Sequence, residues 1–189
     1  MTISAVIVIA HDNHNPQVSV EEYGPEVAAR VEAIGGDVLA IELVPLGGEL
    51  FEERLQHYID EGVSLLLTCG GSSIGPDDIV PELTSIIVER RVPGLEELVR
   101  RALAEEGAEG TLERGACGIA GETLVLNLPR SVAMIEAALA ALAPVLPSVQ
   151  AQLSGRSTGL DPRDERLGHG DDDEEYIAGD DADFPDEEE

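Results

Sequence analysis

The 189-residue chain contains no lysine and no tryptophan. Its 11 basic residues are all arginine and stand against 39 acidic side chains, a net charge of -28. A surface of that sign repels nucleic acid and anionic membranes, so neither is expected as a partner. Acidic, lysine-free composition suits high salt, where screening shortens charge repulsion. A GC-rich genome, which favours arginine over lysine, is the alternative source of the same bias. Aromatic residues make up only 3% of the chain, so the core must be built from Leu, Ile, Val and Ala. Cys69 and Cys117 are the only cysteines. Two thiols outside any CxxC pair exclude a disulfide framework and a structural zinc site, and they fit a reducing compartment. No apolar run approaches the roughly 20 residues that span a bilayer. The N-terminus also lacks a basic segment leading into an apolar core and cleavage site. A cytoplasmic protein is the expectation.

What is present divides near residue 155. Residues 1–155 alternate apolar segments with turn signals and are long enough for one domain with a real core. Residues 156–189 carry 15 acidic residues against 3 arginines, with few scattered apolar side chains. Such a segment cannot bury enough surface to offset its ordering entropy, and it is expected to be a mostly disordered acidic tail. Solvation and contact with a basic partner are its two candidate roles. His169 beside Asp171–Asp173 offers weak, nonspecific cation binding.

Within 1–155 the periodicity predicts strands at Ser4 to Ala10, Asp37 to Val44 and Val63 to Thr68. It predicts helices at Val20 to Ile34, Glu49 to Asp60, Pro81 to Glu89 and Leu95 to Glu105. Leu50, Leu55 and Ile59 are expected to face inward from the second helix. Glu113 to Ile119 and Thr123 to Leu128 read as paired strands around the turn Gly121-Glu122, and Ser131 to Leu142 as a further helix. The βαβαβ order predicts an α/β fold: a three-layer, doubly wound, mainly parallel sheet with helices on both faces.

Ligands of such sheets sit outside the carboxyl ends of the strands. Three loops have that position: Ala10 to Asn15, Cys69 to Val80, and Leu128 to Ser131. The second reads TCGGSSIGPDD. Gly70 and Gly71 let backbone N–H groups approach a ligand closely, and successive N–H groups form anion-binding nests. Asp77-Asp78 follow, and an aspartate beside a phosphate loop serves to hold Mg²⁺ or a polar ligand edge. A plain strand-to-helix turn with an Asp cap explains the same residues. The run is neither a Walker loop nor GxGxxG. His11, Asp12 and His14 offer a metal site or ordinary hydrogen bonds. Cys69 is a reactive thiol beside the loop or a small packing residue; Cys117 reads as core, and His57 as outward on its helix.

The stretches LLLTCGGSSIGPDDIVPE, RRVPGLEELVR and LVLNLPRS, in that order, resemble the molybdopterin-binding domain of the MoaB/Mog family over roughly residues 3 to 150. Relatives carry TGGTG, GPRDVTPE-like, PGF-E-like and NLPG-P segments there, and a Ser-Asp pair where this chain has Ala10 to Asn13. The resemblance implies the doubly wound fold, molybdopterin as ligand, and adenylation of molybdopterin by MgATP in molybdenum or tungsten cofactor synthesis. It implies a homotrimer or hexamer, with other cofactor-synthesis proteins as possible partners. By the match, Gly70, Gly71, Ser72 and Ser73 line the pterin-phosphate pocket. Asn127, Pro129, Arg130 and Ser131 form the opposite wall, Asp78 acts on Mg²⁺ or the pterin, and Asp12 is the counterpart of the early Asp. The chain departs from the pattern at Ser72-Ser73 (Thr-Gly in relatives), Asp77 (Arg), Val80 (Thr), Arg130 (Gly) and Pro45-Leu46 (Pro-Asp). If the second loop glycine of relatives needs positive φ, Ser73 is strained. Arg130 is a candidate replacement for the lost cation. A noncatalytic pterin- or nucleotide-binding protein, and a scaffold acting through the acidic tail, are the alternative functions.

Overall fold

The computed structural model describes residues 3–11, 20–47 and 49–155. The expected disordered tail at 156–189, and with it His169, lies outside the described residues, as do Asp12 and His14. The elements run β1 (Ile3–His11), α1 (Val20–Ala33), β2 (Gly36–Pro45), α2 (Glu49–Asp60), β3 (Leu65–Cys69) and α3 (Val80–Ile87). Then follow β4 (Arg90–Arg91), α4 (Pro93–Glu105), a 3-10 turn (Ala108–Leu112), β5 (Cys117–Ala120), β6 (Thr123–Leu128), α5 (Val132–Leu142) and α6 (Leu146–Leu153).

The six strands form one sheet in the order β2-β1-β3-β6-β5-β4. β1 pairs in parallel with β2 and β3, and β3 in parallel with β6. The β4–β5 and β5–β6 pairs are antiparallel. The central strands β1, β3 and β6 are almost wholly buried and largely apolar because both faces of the sheet are covered there, while the edge strands β2 and β4 carry charged, partly exposed residues. Side chains alternate between two cores with the strand period of two. Ala5, Ile7 and Ile9 of β1, Leu65, Leu67 and Cys69 of β3, and Leu124, Leu126 and Leu128 of β6 pack on α1, α4, α5 and α6. Val6, Val8 and Ala10, Leu66, and Val125 pack on the other side against α2 and α3. This is the expected three-layer arrangement.

Four local features differ from expectation. In α2 it is Phe51, Leu55 and Tyr58 that are buried, and Leu50 is 48% exposed. Phe51, the larger side chain one position on, takes the inward place. The strand expected from Glu113 begins only at Cys117, because residues 113–116 leave the sheet to meet the β3–α3 loop. Arg90–Arg91 makes a short edge strand, and α6 adds an eight-residue helix to the α1 side. Among the described residues no single helix is long and apolar enough to cross a membrane. The pair α5 and α6 passes by length and composition across a 65° bend, and α5 buries Ile135, Ala138, Leu139 and Leu142 in the core.

The sheet order reverses beside β1: β2 lies on one side of it and β3 on the other. Because β1, β3 and β6 run in parallel, their carboxyl ends adjoin, and the loops after them converge at the switch point where such sheets bind ligands.

Candidate functional site

The loop after β3 begins with two glycines in left-handed conformation, Gly70 at φ 89° and Gly71 at φ 66°. Gly70 donates its N–H to the carbonyl of Leu128 at 2.9 Å, tying the loop to the end of β6. A side chain at Gly70 would meet the Arg130 guanidinium at 3.2 Å, and one at Gly71 would meet Leu46 and Val80 at 2.7 Å. The first glycine therefore makes room for Arg130, and the second lets the loop lie on its apolar floor. Val80 belongs to that floor: it is fully buried, and its N–H bonds the Gly71 carbonyl at 3.0 Å, closing the loop. The expected strain at Ser73 is not found, since no described residue other than glycine has positive φ. Gly70 and Gly71 absorb the whole turn, so a serine at 73 costs nothing in backbone conformation.

Asp78 closes a tight turn with Gly75. Its carboxylate accepts the Gly75 N–H at 2.8 Å, and its own N–H donates to the Gly75 carbonyl at 3.1 Å. Asp77 is exposed. On the opposite wall Arg130 reaches back over the sheet end, with Nη2 3.5 Å from the Ala10 carbonyl. The Tyr23 hydroxyl donates to the Arg130 carbonyl at 2.7 Å, which anchors the backbone below the guanidinium. Burial pushes the Tyr23 phenol above its ordinary range, so it remains a donor.

Gly70, Gly71, Ser72, Ser73, Asp78, Arg130 and Glu113 line a cleft of about 190 Å³. Six of these seven are residues singled out from the sequence; Glu113 is not. The other sequence candidates lie elsewhere. Asn127 and Pro129 line a recess of about 10 Å³ on the far side of Ser72, with Glu96 and Arg100 of α4. Asn127 is buried, and its side chain is engaged internally. Nδ2 donates to Thr68 Oγ1 at 2.9 Å and to Thr84 Oγ1 at 2.7 Å, and Oδ1 accepts the Ala116 N–H at 3.0 Å. Ser131 is exposed at the N-terminus of α5. Asp12 lies outside the described residues. His11 ends β1, with Nδ1 buried and unpartnered among the described residues. Those residues contain no cluster of three metal-binding side chains. Cys69 and Cys117 are both buried, and burial pushes each thiol up to about 12, so both are packing residues.

Two residues that sequence reading placed in a strand govern the loop. Arg114 donates its backbone N–H to the Ser72 carbonyl at 2.8 Å and Nε to the Ser73 carbonyl at 2.6 Å. Its Nη atoms bond the Asp78 carbonyl and the Glu82 carboxylate. One side chain thus holds both ends of the loop. Its neighbour Glu113 turns into the cleft and accepts the Ser72 hydroxyl at 2.6 Å. Burial, foremost, and then the charge of Asp78 raise the Glu113 carboxyl, against the lowering effects of the Ser72 hydrogen bond and of Arg114. The signal for both residues is a charged pair, Glu113-Arg114, at the start of a segment that is otherwise apolar.

A glycine-turned loop, a guanidinium and two carboxylates thus meet at the switch point of a doubly wound α/β domain. The family model described as a probable molybdopterin binding domain matches residues 5–148, and the chain belongs to that family. It is 34% identical to the molybdopterin biosynthesis Mog protein of Mycobacterium ulcerans, with a TM-score of 0.74 over 82% of this chain and 99% of that one. It is 30% identical over 126 residues to the molybdopterin adenylyltransferase of Haemophilus influenzae, covering 65% of this chain and 64% of the relative. It is 32% identical over 123 residues to the molybdenum cofactor synthesis protein cinnamon of Drosophila melanogaster, covering 65% of this chain and 20% of that protein. The chain thus spans about a fifth of the Drosophila protein and less than two thirds of the Haemophilus one. Family membership places it among proteins of molybdenum cofactor biosynthesis.

Proposed function

We propose that the protein binds molybdopterin in the cleft at Gly70–Asp78 and adenylates it with MgATP. The observation that carries this reading is the pairing of the Gly70–Gly71 turn with Arg130 at the sheet's switch point. It brings a loop held close by two glycines and a guanidinium to the carboxyl ends of the strands, a place suited to a terminal phosphate. In the reaction a phosphate oxygen of molybdopterin attacks the α-phosphorus of ATP. The bond to the bridging oxygen breaks, and pyrophosphate leaves with its electron pair. Such transfers depend on positioning and charge neutralisation more than on covalent chemistry. Arg130 and the glycine turn would hold the attacking phosphate, and the strap of Arg114 would fix the loop around it.

Asp78 fits a role toward Mg²⁺. It lines the cleft and commits a single carboxylate oxygen to Gly75. Mg²⁺ asks for one or two carboxylates, with phosphate and water completing its shell. When bound, the ion would offset charge on the phosphates. In this reading the protein works in the cytoplasm as a homotrimer or hexamer beside other cofactor-synthesis proteins.

The test is pyrophosphate release from MgATP with and without molybdopterin. Release that requires molybdopterin, and that is lost in Asp78→Asn, supports adenylation. The asparagine keeps an acceptor for Gly75 while removing the charge. Binding of molybdopterin without release would reduce the protein to a carrier.

A further inference from the structure

Glu113 has no part in the reading above, yet its carboxylate sits inside the cleft, 2.6 Å from the hydroxyl of Ser72. Ser72 is 2% exposed and owns a single proton to donate. Its other neighbour, the Leu128 carbonyl, is 3.4 Å away, so Glu113 is the stronger claimant. A carboxylate oxygen accepting that hydroxyl does what a phosphate oxygen in the cleft would do. The charged groups around it are Asp78 on the same loop, Arg114 with its partner Glu82, and Arg130 across the cleft. Glu96 and Arg100 of α4 lie on the recess side. Arg114 is already spent on Glu82 and three loop carbonyls. A second anion beside Ser72 therefore meets two carboxylates in a partly dehydrated space, where like charges repel most.

We propose that Glu113 is a specificity-determining residue: its carboxylate is a built-in substitute for the ligand's phosphate on Ser72, and a ligand must displace it to bind. The inference rests on the reading of this cleft as a phosphate site. A bare phosphate gains little by replacing one anion with another, so it binds weakly. A phosphate carried on a larger ligand brings further contacts that meet the cost of displacement. Glu113 thus favours the whole ligand over free phosphate, which is abundant in any cell that uses ATP. Specificity arises from an unfavourable element set against the wrong occupant.

The experiment measures binding of inorganic phosphate and of molybdopterin by calorimetry to the full chain, to Glu113→Ala and to Glu113→Gln. Each variant is checked for native circular dichroism. Removing the charge is expected to tighten inorganic phosphate about tenfold, equivalent to about 1.4 kcal/mol. The gain should shrink when Ser72→Ala is added, since part of it is exerted through the Ser72 hydroxyl and the rest through charge repulsion. A general loosening of the fold would not show that dependence. Unchanged or weaker phosphate binding in both single variants overturns the proposal, as does a gain left undiminished by Ser72→Ala. The two readings separate cleanly. Wild-type binding of molybdopterin with no change in phosphate affinity sinks only the role of Glu113. Tighter phosphate in the variants with no molybdopterin binding by any form sinks only the proposed ligand.

Discussion

Arg114 Nε lies 2.6 Å from the carbonyl of Ser73, across 41 residues of chain, and the same guanidinium reaches Glu82 at the start of α3. The loop after β3 is therefore held by a side chain from another part of the fold in addition to its own turn bonds. Arg114→Ala should cost about 1 kcal/mol or less of global stability, because the guanidinium is partly solvated. It should loosen the loop much more than the fold. Hydrogen exchange is the measurement: the amides of Asp78, Ile79 and Val80 should lose protection while those of β1 and β3 keep theirs. Ligand binding should weaken in parallel. Equal loss of protection throughout the domain would show that Arg114 supports the whole fold.

The two glycines make different predictions although both have positive φ. Alanine at either position carries a backbone penalty of about 1 kcal/mol. At Gly71 the added methyl also meets Leu46 and Val80 at 2.7 Å in the packed floor. Gly71→Ala should therefore lower the melting temperature more than Gly70→Ala. At Gly70 the methyl meets the mobile end of the Arg130 side chain at 3.2 Å and displaces it from the cleft. Gly70→Ala should thus impair ligand binding out of proportion to its small effect on stability. Calorimetric melting and ligand titration on the same two proteins check both statements.

These contrasts show what the sequence carries and what it hides. The layers were legible because burial on both faces forces apolar strands, and β1 and β3 have no polar interruption except Ser4 and Thr68. Gly70-Gly71 were legible because few other residues tolerate the turn. Arg130 was legible as a long cation where relatives have glycine. Glu113 and Arg114 were not, since a charged pair at a strand's edge looks like an ordinary solvated end. Their role depends on a loop 41 residues away. Asn127 belongs to a recurring motif beside the site, and a motif does not say which way a side chain points. The place of Leu50 was misread because a one-position rotation of a helix separates it from Phe51.

Cys69 and Cys117 supply a pH dependence. Each thiol is pushed by burial from 9.0 in the ordinary state to about 12 in the fold. Between these values the unfolded chain releases protons that the folded chain keeps. The native state then binds more protons, and stability falls as pH rises from about 9 toward about 12. The limiting slope is about 1.4 kcal/mol per pH unit for each thiol. Tyr23, also raised, adds to the loss above its ordinary range. Urea denaturation at pH 8 and at higher values should show the decline, and the double variant Cys69→Ala/Cys117→Ala should flatten it. At pH 8 neither thiol should react with iodoacetamide until the protein unfolds; alkylation of the native protein would contradict the burial of both.

Asn127 separates a structural role from a binding one. Its amide joins Thr68 of β3 to Thr84 of α3 and receives the N–H of Ala116, where the chain leaves the sheet to form the strap. Every one of these partners lies in the interior, so truncation leaves polar groups with neither protein nor water to bond. Asn127→Ala should lose about 2–4 kcal/mol of stability, the penalty of several unsatisfied buried groups. Asn127→Asp should also destabilise, because the carboxylate can no longer donate to the two threonine hydroxyls. A ligand-contacting residue would behave in the opposite way, with affinity lost and stability kept. The cleft is lined by other residues, so the folded fraction of Asn127→Ala, studied below its melting temperature, should retain wild-type affinity for molybdopterin. Loss of affinity at unchanged melting temperature would instead put Asn127 on the ligand.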